Sequence, residues 1–111
     1  MDWPRRPRRF EVPLAKVTDY LLNQAHPVGK SKARYFMNLG YSPDRPQPFI
    51  EALVIHGQIS NVHEVRKKEN AYLMAVKGPL LSPKGKPTII TVWYLEEGSE
   101  TARLVTAYPG G

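Results

Sequence analysis

A histidine, a glycine and several basic residues stand together in one short stretch of the chain. The stretch His26-Pro27-Val28-Gly29-Lys30-Ser31-Lys32 is followed by Arg34. The imidazole of a histidine can accept or donate a proton at physiological pH. A helix that begins after Gly29 presents unpaired backbone N–H groups that favour a phosphate, and Lys30, Lys32 and Arg34 add positive charge. This chemistry suits a phosphodiester held beside a general acid or base.

The same stretch is not a nucleoside triphosphate site. A P-loop needs a second glycine five residues before Gly29, where the sequence has Gln24, and an apolar strand that is missing here. A helix capped by Ser31, with solvated lysines, is the alternative interpretation of these residues.

The end of the chain, Arg103-Leu104-Val105-Thr106-Ala107-Tyr108-Pro109, is the second candidate. Strand alternation predicts that Leu104, Thr106 and Tyr108 share one face, opposite Arg103, Val105 and Ala107. A threonine and a tyrosine on one face can hydrogen-bond a scissile phosphate. Both are also ordinary strand residues, so the pattern alone leaves the two interpretations open.

Metal chemistry has little support, because no histidine pair has helical metal-ligand spacing and the aspartates are scattered. No metal or cofactor is expected. His56 lies on the apolar stripe of a predicted helix, which favours a core position. His63 lies in a predicted strand with Glu64 on the opposite face.

The chain is basic, with a formal net charge of +6. Residues 1–10 account for +3 of this charge, because they contain Arg5, Arg6, Arg8 and Arg9 and a single acidic residue, Asp2. Such an excess favours nucleic acid or an acidic protein as partner, and the four arginines are candidate nucleic-acid contacts. A solubilising surface is the alternative interpretation.

Hydrophobic periodicity predicts an α+β fold in which N-terminal helices pack on one face of a four-stranded antiparallel sheet. Prolines among arginines predict a tail over residues 1–12, docked by Phe10 and Val12, and one domain over 13–111. The most apolar strand, 88–95, is predicted to be central. The predicted helices cover 14–23, 32–39 and 49–57, and the predicted strands cover 59–67, 71–76, 88–95 and 102–107.

The 111 residues contain no cysteine, which excludes disulfides and fits a reducing compartment. No apolar run approaches the roughly 18 residues of a membrane span, and no apolar segment of a secretory signal follows the basic N-terminus. A cytoplasmic location without membrane contact is therefore expected.

Two segments together resemble a known group of proteins. Residues 14–40 contain Leu21-Leu22-Asn23 and the His26 stretch, and the chain ends with Thr91-Val92-Trp93 and then Arg103 to Pro109. They resemble a small uncharacterised bacterial domain family, which is similar to the barnase/EndoU/colicin/RelE-like ribonuclease toxins. That group has N-terminal helices packed on a four-stranded antiparallel sheet and often ends in a Thr-x-Tyr-Pro-like motif.

The resemblance implies a metal-independent endoribonuclease of the bacterial toxin type, either from a toxin–antitoxin pair or delivered. In such enzymes the RNA 2′-hydroxyl attacks its own phosphate and leaves a cyclic phosphate and a free 5′-hydroxyl. The implied partners are RNA and an acidic antitoxin or immunity protein. The alternative is a non-catalytic RNA- or protein-binding module of the antitoxin or immunity type.

The resemblance implies that His26 acts as general base or acid. It implies that Lys30 or Lys32 stabilises the charge of the phosphorane. EndoU-like members use two histidines, which leaves open whether His56 or His63 joins His26, whereas RelE-like members use none.

In the last strand, the resemblance implies that Arg103 assists with the phosphorane charge and that Thr106 orients the phosphate. It implies that Tyr108 positions the substrate or donates a proton. These roles require His26 and Thr106 to lie on the same side of the fold.

Overall fold

The hydrophobic period changes from helical to alternating after Gly57, and the computed structural model, which describes residues 6–27 and 29–111, follows that change. The helices are α1 (Leu14–Lys16), which continues as a π-helical turn (Val17–Leu21), α2 (Lys30–Asn38) and α3 (Gln47–Ile59). The strands are β1 (Arg9–Glu11), β2 (Asn61–Lys68), β3 (Ala71–Pro79), β4 (Thr88–Glu96) and β5 (Thr101–Pro109). The α+β class is confirmed, and so is the succession of three helical segments followed by four strands, but a further strand, β1, precedes the helices.

The strands form one mixed sheet in the order β1-β5-β4-β3-β2, with β4 in the middle as predicted. Strands β2 to β5 are antiparallel neighbours, but β1 pairs in parallel with the start of β5. The prediction of four antiparallel strands was therefore wrong by one strand. The fifth comes from residues 9–11, which the sequence analysis assigned to the tail.

Side-chain contacts help to hold this N-terminal segment on the fold. Phe10 is buried, with its ring nearly perpendicular to that of Trp93 at a centroid distance of 4.9 Å, and Val12 is buried as predicted. Arg6 donates from Nη2 to the carbonyl oxygens of Gly57 and Ser60, each at 2.7 Å. The last carbonyls of a helix have no intrahelical partner and carry partial negative charge, so a guanidinium stabilises this end of α3.

A polar network inside the core joins α3 to the sheet. His56, buried to 1% exposure, donates from Nε2 to the carbonyl of Gly78 at 3.0 Å and accepts at Nδ1 from the Thr91 hydroxyl at 2.8 Å. Thr91 in turn accepts from the indole N–H of Trp93 at 2.8 Å. His56 is therefore a hydrogen-bonded core histidine, in agreement with its position on the apolar stripe.

Bulges interrupt two strands and change which side chains share a face. In β5, Trp93 pairs with Leu104 but Val92 pairs with Thr106, so Val105 is an extra residue. Leu104 therefore points into the core, whereas the alternation rule had placed it with Thr106 and Tyr108. A bulge adds one residue to a strand, so the side chains beyond it point to the opposite face from the one that regular alternation predicts.

The bulge in β2 falls at His63, between Val62 and Glu64. Regular alternation predicted that His63 and Glu64 lie on opposite faces of the strand, and the bulge interrupts that alternation at His63.

The start of α2 also differs from the prediction. Gly29, in helical conformation and with no side-chain cap, precedes the helix, and Ser31 lies within its first turn. No helix among residues 6–27 and 29–111 is long and apolar enough to cross a membrane.

The core histidine makes stability depend on pH. Burial lowers the pKa of His56 below its ordinary value, although hydrogen bonds to Gly78 and Ile89 raise it in part. Below about pH 6.5 the unfolded chain therefore binds a proton that the folded chain resists, and stability falls. We expect the free energy of unfolding in urea to be lower at acidic than at neutral pH.

The substitution His56→Gln should reduce that difference, and His63→Gln is the matched control because its side chain is exposed. A full pH difference retained in His56→Gln would contradict this account.

Candidate active site on the open sheet face

In the part of the chain that the structure describes, the helices cover one face of the sheet. Thr91, Trp93 and Leu95 of β4 are buried toward α3 and its neighbours, so Ile90, Val92 and Tyr94 point to the other side. We call this side the open face. Thr106 pairs with Val92 and Tyr108 pairs with Ile90, so the bulge at Val105 places both predicted C-terminal site residues on the open face.

At the border of the open face, Lys32 meets three side chains from other elements. Its Nζ donates to the hydroxyl of Tyr20 at 2.6 Å and to the hydroxyl of Thr106 at 3.0 Å. It also lies 5.1 Å from the centre of the Tyr20 ring and 5.9 Å from that of Tyr108. These four residues, Tyr20, Lys32, Thr106 and Tyr108, form what we call the Lys32 cluster.

Local backbone features bring the cluster together. Tyr20 comes from the π-helical turn, which lies against the second half of β5 so that its hydroxyl is 3.3 Å from that of Thr106. Gly29 packs directly on Tyr20, because a Cβ at this position would come within 2.8 Å of both Cδ1 and the carbonyl oxygen of Tyr20. The glycine therefore allows the first turn of α2, and with it Lys32, to reach the tyrosine.

The cluster is electropositive. Among the ion pairs of the described residues, none involves Lys32, whose polar partners are two neutral hydroxyl groups. Burial raises the pKa of Tyr20, but hydrogen bonds to Lys32 and Thr106 and the charges of Lys32 and Lys16 outweigh it, so the pKa is lowered. A half-buried ammonium beside such a phenol attracts an anion and stabilises a phenolate.

His26 lies next to this cluster, on the same side of the fold as Thr106. Its ring meets that of Tyr20 edge to face at a centroid distance of 5.0 Å. Its Nδ1 accepts from the backbone N–H of Gly29 at 3.0 Å. The required proximity of His26 and Thr106 is therefore met, with Tyr20 between them.

Other predicted site residues lie apart from the cluster. Lys30 is exposed two residues before Lys32, and side chains two apart on a helix do not face each other. Arg103 lies 3.9 Å from Glu11 of β1, in an exposed ion pair. Arg34 is exposed on α2.

The N-terminal arginines have separate structural roles. Arg6 is occupied at the end of α3, as described above. Arg8 pairs with Glu100 at 3.5 Å, and Arg9 donates to the hydroxyl of Thr101 at 3.1 Å, both in exposed positions. Arg5 lies outside the described residues.

A concavity of about 340 Å³ continues from Tyr108 across the open face. Its floor consists of Leu73, Ala75, Ile90 and Val92, and its rim carries His63, Glu64 and Arg66. We call it the sheet pocket. Of the two histidines left open by the sequence, His63 therefore shares a surface with Tyr108, whereas His56 is buried under the opposite face.

The strands give the open face an excess of positive charge. Register pairing assigns five basic side chains to this face, and Lys32 adds a sixth, against three acidic ones. The basic residues are Arg9, Lys32, Arg66, Lys68, Lys77 and Arg103, and the acidic ones are Glu11, Glu64 and Glu96.

Sequence reasoning missed Tyr20 and the rim residues Glu64 and Arg66. The spacing of Leu14, Val17 and Leu21 predicts a helix but gives no sign that Tyr20 faces β5. The bulge that brings His63 and Glu64 to one pocket has no signal in the sequence. Within the described residues, no group of three His, Asp or Glu side chains is arranged to hold a metal.

A family model described as a domain of unknown function, DUF6883, matches residues 6–111. The chain belongs to the DUF6883 family. The match begins at Arg6, so this family domain includes β1 as well as the helices and the other strands. Comparison with curated proteins gave no match, and comparison with solved structures gave none either.

The environment of Tyr20 can be tested by tyrosine titration. The chain has six tyrosines, and the difference in tyrosinate absorbance between wild type and Tyr20→Phe isolates one of them. We expect that residue to ionise below the ordinary pKa of a tyrosine, and Lys32→Met to raise its pKa.

Lys16→Met is the matched control for that titration. Lys16 lies 5.8 Å from the centre of the Tyr20 ring and acts on the pKa of Tyr20 through charge alone, so the rise should be smaller. An unchanged titration in Lys32→Met would contradict the geometry.

Proposed function

We propose that this domain is a metal-independent endoribonuclease that cleaves RNA at the Lys32 cluster. The observation that carries the proposal is the Lys32 ammonium, held by two hydroxyl groups at the edge of a basic sheet face. A phosphodiester is the anion that suits a site of this size, charge and hydrogen-bonding character, and Lys32 and Thr106 would bind its non-bridging oxygens.

Cleavage needs one group to take the proton of the 2′-hydroxyl and another to protonate the departing 5′-oxygen. The lowered pKa of Tyr20 fits the first task, since Lys32 stabilises the phenolate. Tyr108 is the other tyrosine whose ring lies beside Lys32, and its phenol can protonate the departing 5′-oxygen. The 2′-oxygen then bonds to phosphorus, the bond from phosphorus to the 5′-oxygen breaks, and a cyclic phosphate and a 5′-hydroxyl result.

His26 has a different role from the general acid or base implied by the resemblance. Its Nδ1 is engaged by the N–H of Gly29 and is therefore not placed to take the proton of the 2′-hydroxyl. In this proposal His26 supports the Tyr20 ring and holds the start of α2 in place. Its replacement should therefore lower the rate less than loss of Lys32 does.

The proposal is tested by incubating the purified protein with single-stranded RNA in EDTA. We expect cleavage that leaves cyclic phosphate ends, and a rate lowered about 10²- to 10³-fold in Lys32→Met, because transition-state charge is no longer stabilised. Lys84→Met is the control of equal charge, since this exposed loop lysine lies near Leu39 at the far end of α2.

The pH profile gives a second readout. A base with a lowered pKa predicts that kcat/KM rises with pH until Tyr20 has ionised. Cleavage that disappears in EDTA, or that survives unchanged in Lys32→Met, would count against the proposal.

A non-catalytic RNA-binding module is the second candidate. The positive excess of the open face and its exposed Tyr94, at 39% exposure, favour RNA binding whether or not cleavage follows. RNA that is bound but left intact at all pH values would favour this candidate.

In either case the partner is RNA, and an acidic protein would complement the same face as an antitoxin or immunity partner. A toxin of this kind would act in the cytoplasm. Growth arrest on expression, relieved by Lys32→Met and by co-expression of an acidic partner, is the expected behaviour.

A further inference from the structure

We infer that the sheet pocket binds the nucleobase next to the phosphate held by the Lys32 cluster, and so gives the domain a base preference. This inference rests on the proposed function for the position of the phosphate. It assigns a recognition site to residues of β2 and β3, which contribute nothing to the Lys32 cluster.

The pocket and the cluster share a wall. The Tyr108 ring lines the pocket and lies 5.9 Å from the ammonium of Lys32. Thr106 pairs directly with Val92, which forms part of the pocket floor, so the two sites are one strand spacing apart, about 4.8 Å. A phosphate on Lys32 and Thr106 would therefore place its neighbouring sugar at the border of the pocket and the base inside it.

The lining of the pocket suits a planar base. Its floor of aliphatic side chains is half-buried or buried, which leaves a flat apolar strip that can contact the face of a ring. The volume of about 340 Å³ lies at the lower end of the range for ligand clefts, which fits one base and not a longer segment. A sheet face with an aromatic wall is a suitable surface for an unstacked base.

The rim supplies the means to distinguish bases. Arg66 donates from Nε to Glu64 Oε2 at 2.7 Å, and the pair is exposed on the pocket side. The remaining N–H groups of Arg66 are donors and the free lone pairs of Glu64 are acceptors, so a base edge with both acceptors and donors is recognised.

The bulge in β2 makes this rim possible. Neighbouring strand residues normally point to opposite faces, yet His63 and Glu64 both line the pocket because His63 is the extra residue of the bulge. Bulges often redirect side chains beside binding sites, and this one adds an imidazole next to the ion pair.

The inference is tested by fluorescence anisotropy with four end-labelled 2′-O-methyl RNA trinucleotides that differ only in the central base and cannot be cleaved. We expect wild type to bind the four with dissociation constants that span tenfold or more. Ala75→Leu, which fills the floor of the pocket, should weaken binding of the preferred base at least tenfold and remove the preference.

Arg66→Gln tests the rim without changing the floor and should also reduce the preference. Lys32→Met should weaken the binding of all four trinucleotides by a similar factor, because in this proposal the Lys32 ammonium contacts the phosphate and not the base. Lys84→Met is the charge control, and a thermal unfolding curve for Ala75→Leu verifies that the variant folds.

Equal binding of the four bases by wild type, or a preference that persists in both Ala75→Leu and Arg66→Gln, would overturn the inference. The two proposals can fail separately. A base preference that is lost in these variants, combined with RNA that is never cleaved, supports the pocket and removes the ribonuclease. Cleavage that depends on Lys32 but shows no base preference supports the ribonuclease and removes the pocket.

Discussion

The extra residue at Val105 is the constraint on which the candidate site depends. The core requires Ala102, Leu104 and Ala107 of β5, all buried to 1% exposure or less, and a regular strand could not supply Leu104 and Ala107 to the same face. With one residue inserted, both enter the core, and Thr106 and Tyr108 point to the open face. The bulge therefore lets one strand place apolar side chains in the core and polar side chains on the open face.

A second constraint acts from the helical side. Gly29 permits backbone and ring to touch where a methyl group would not fit, and this contact sets the position of α2 relative to Tyr20. The buried network of His56, Thr91 and Trp93 fixes α3 on the opposite face of β4. These contacts therefore anchor the helices to the sheet while the open face stays uncovered by them.

Periodicity was enough to predict three helices, four of the strands and the central place of β4, because burial of an apolar stripe or face decides those elements. Periodicity could not predict β1, because a strand of three residues is too short to show an alternating pattern. Its position also depends on the contact between Phe10 and Trp93, which are far apart in the sequence. Of the candidate site, Lys32, Thr106 and Tyr108 were named from residue type and spacing. Tyr20, Glu64 and Arg66 were not, because the π-helical turn directs Tyr20 and the bulge in β2 directs the other two, and neither feature can be read from the residue order.

The parallel pairing of β1 with β5 also bears on when the fold can form during synthesis. Arg9 hydrogen-bonds Thr101 across a separation of 92 residues, so β1 can find its strand partner only after β5, the last strand of this domain, has begun to be synthesised. Thr106 emerges later still, and Lys32 has no hydroxyl from β5 to contact before then. A nascent chain can form its helices early, but the completed electropositive centre appears only after most of β5 has been synthesised.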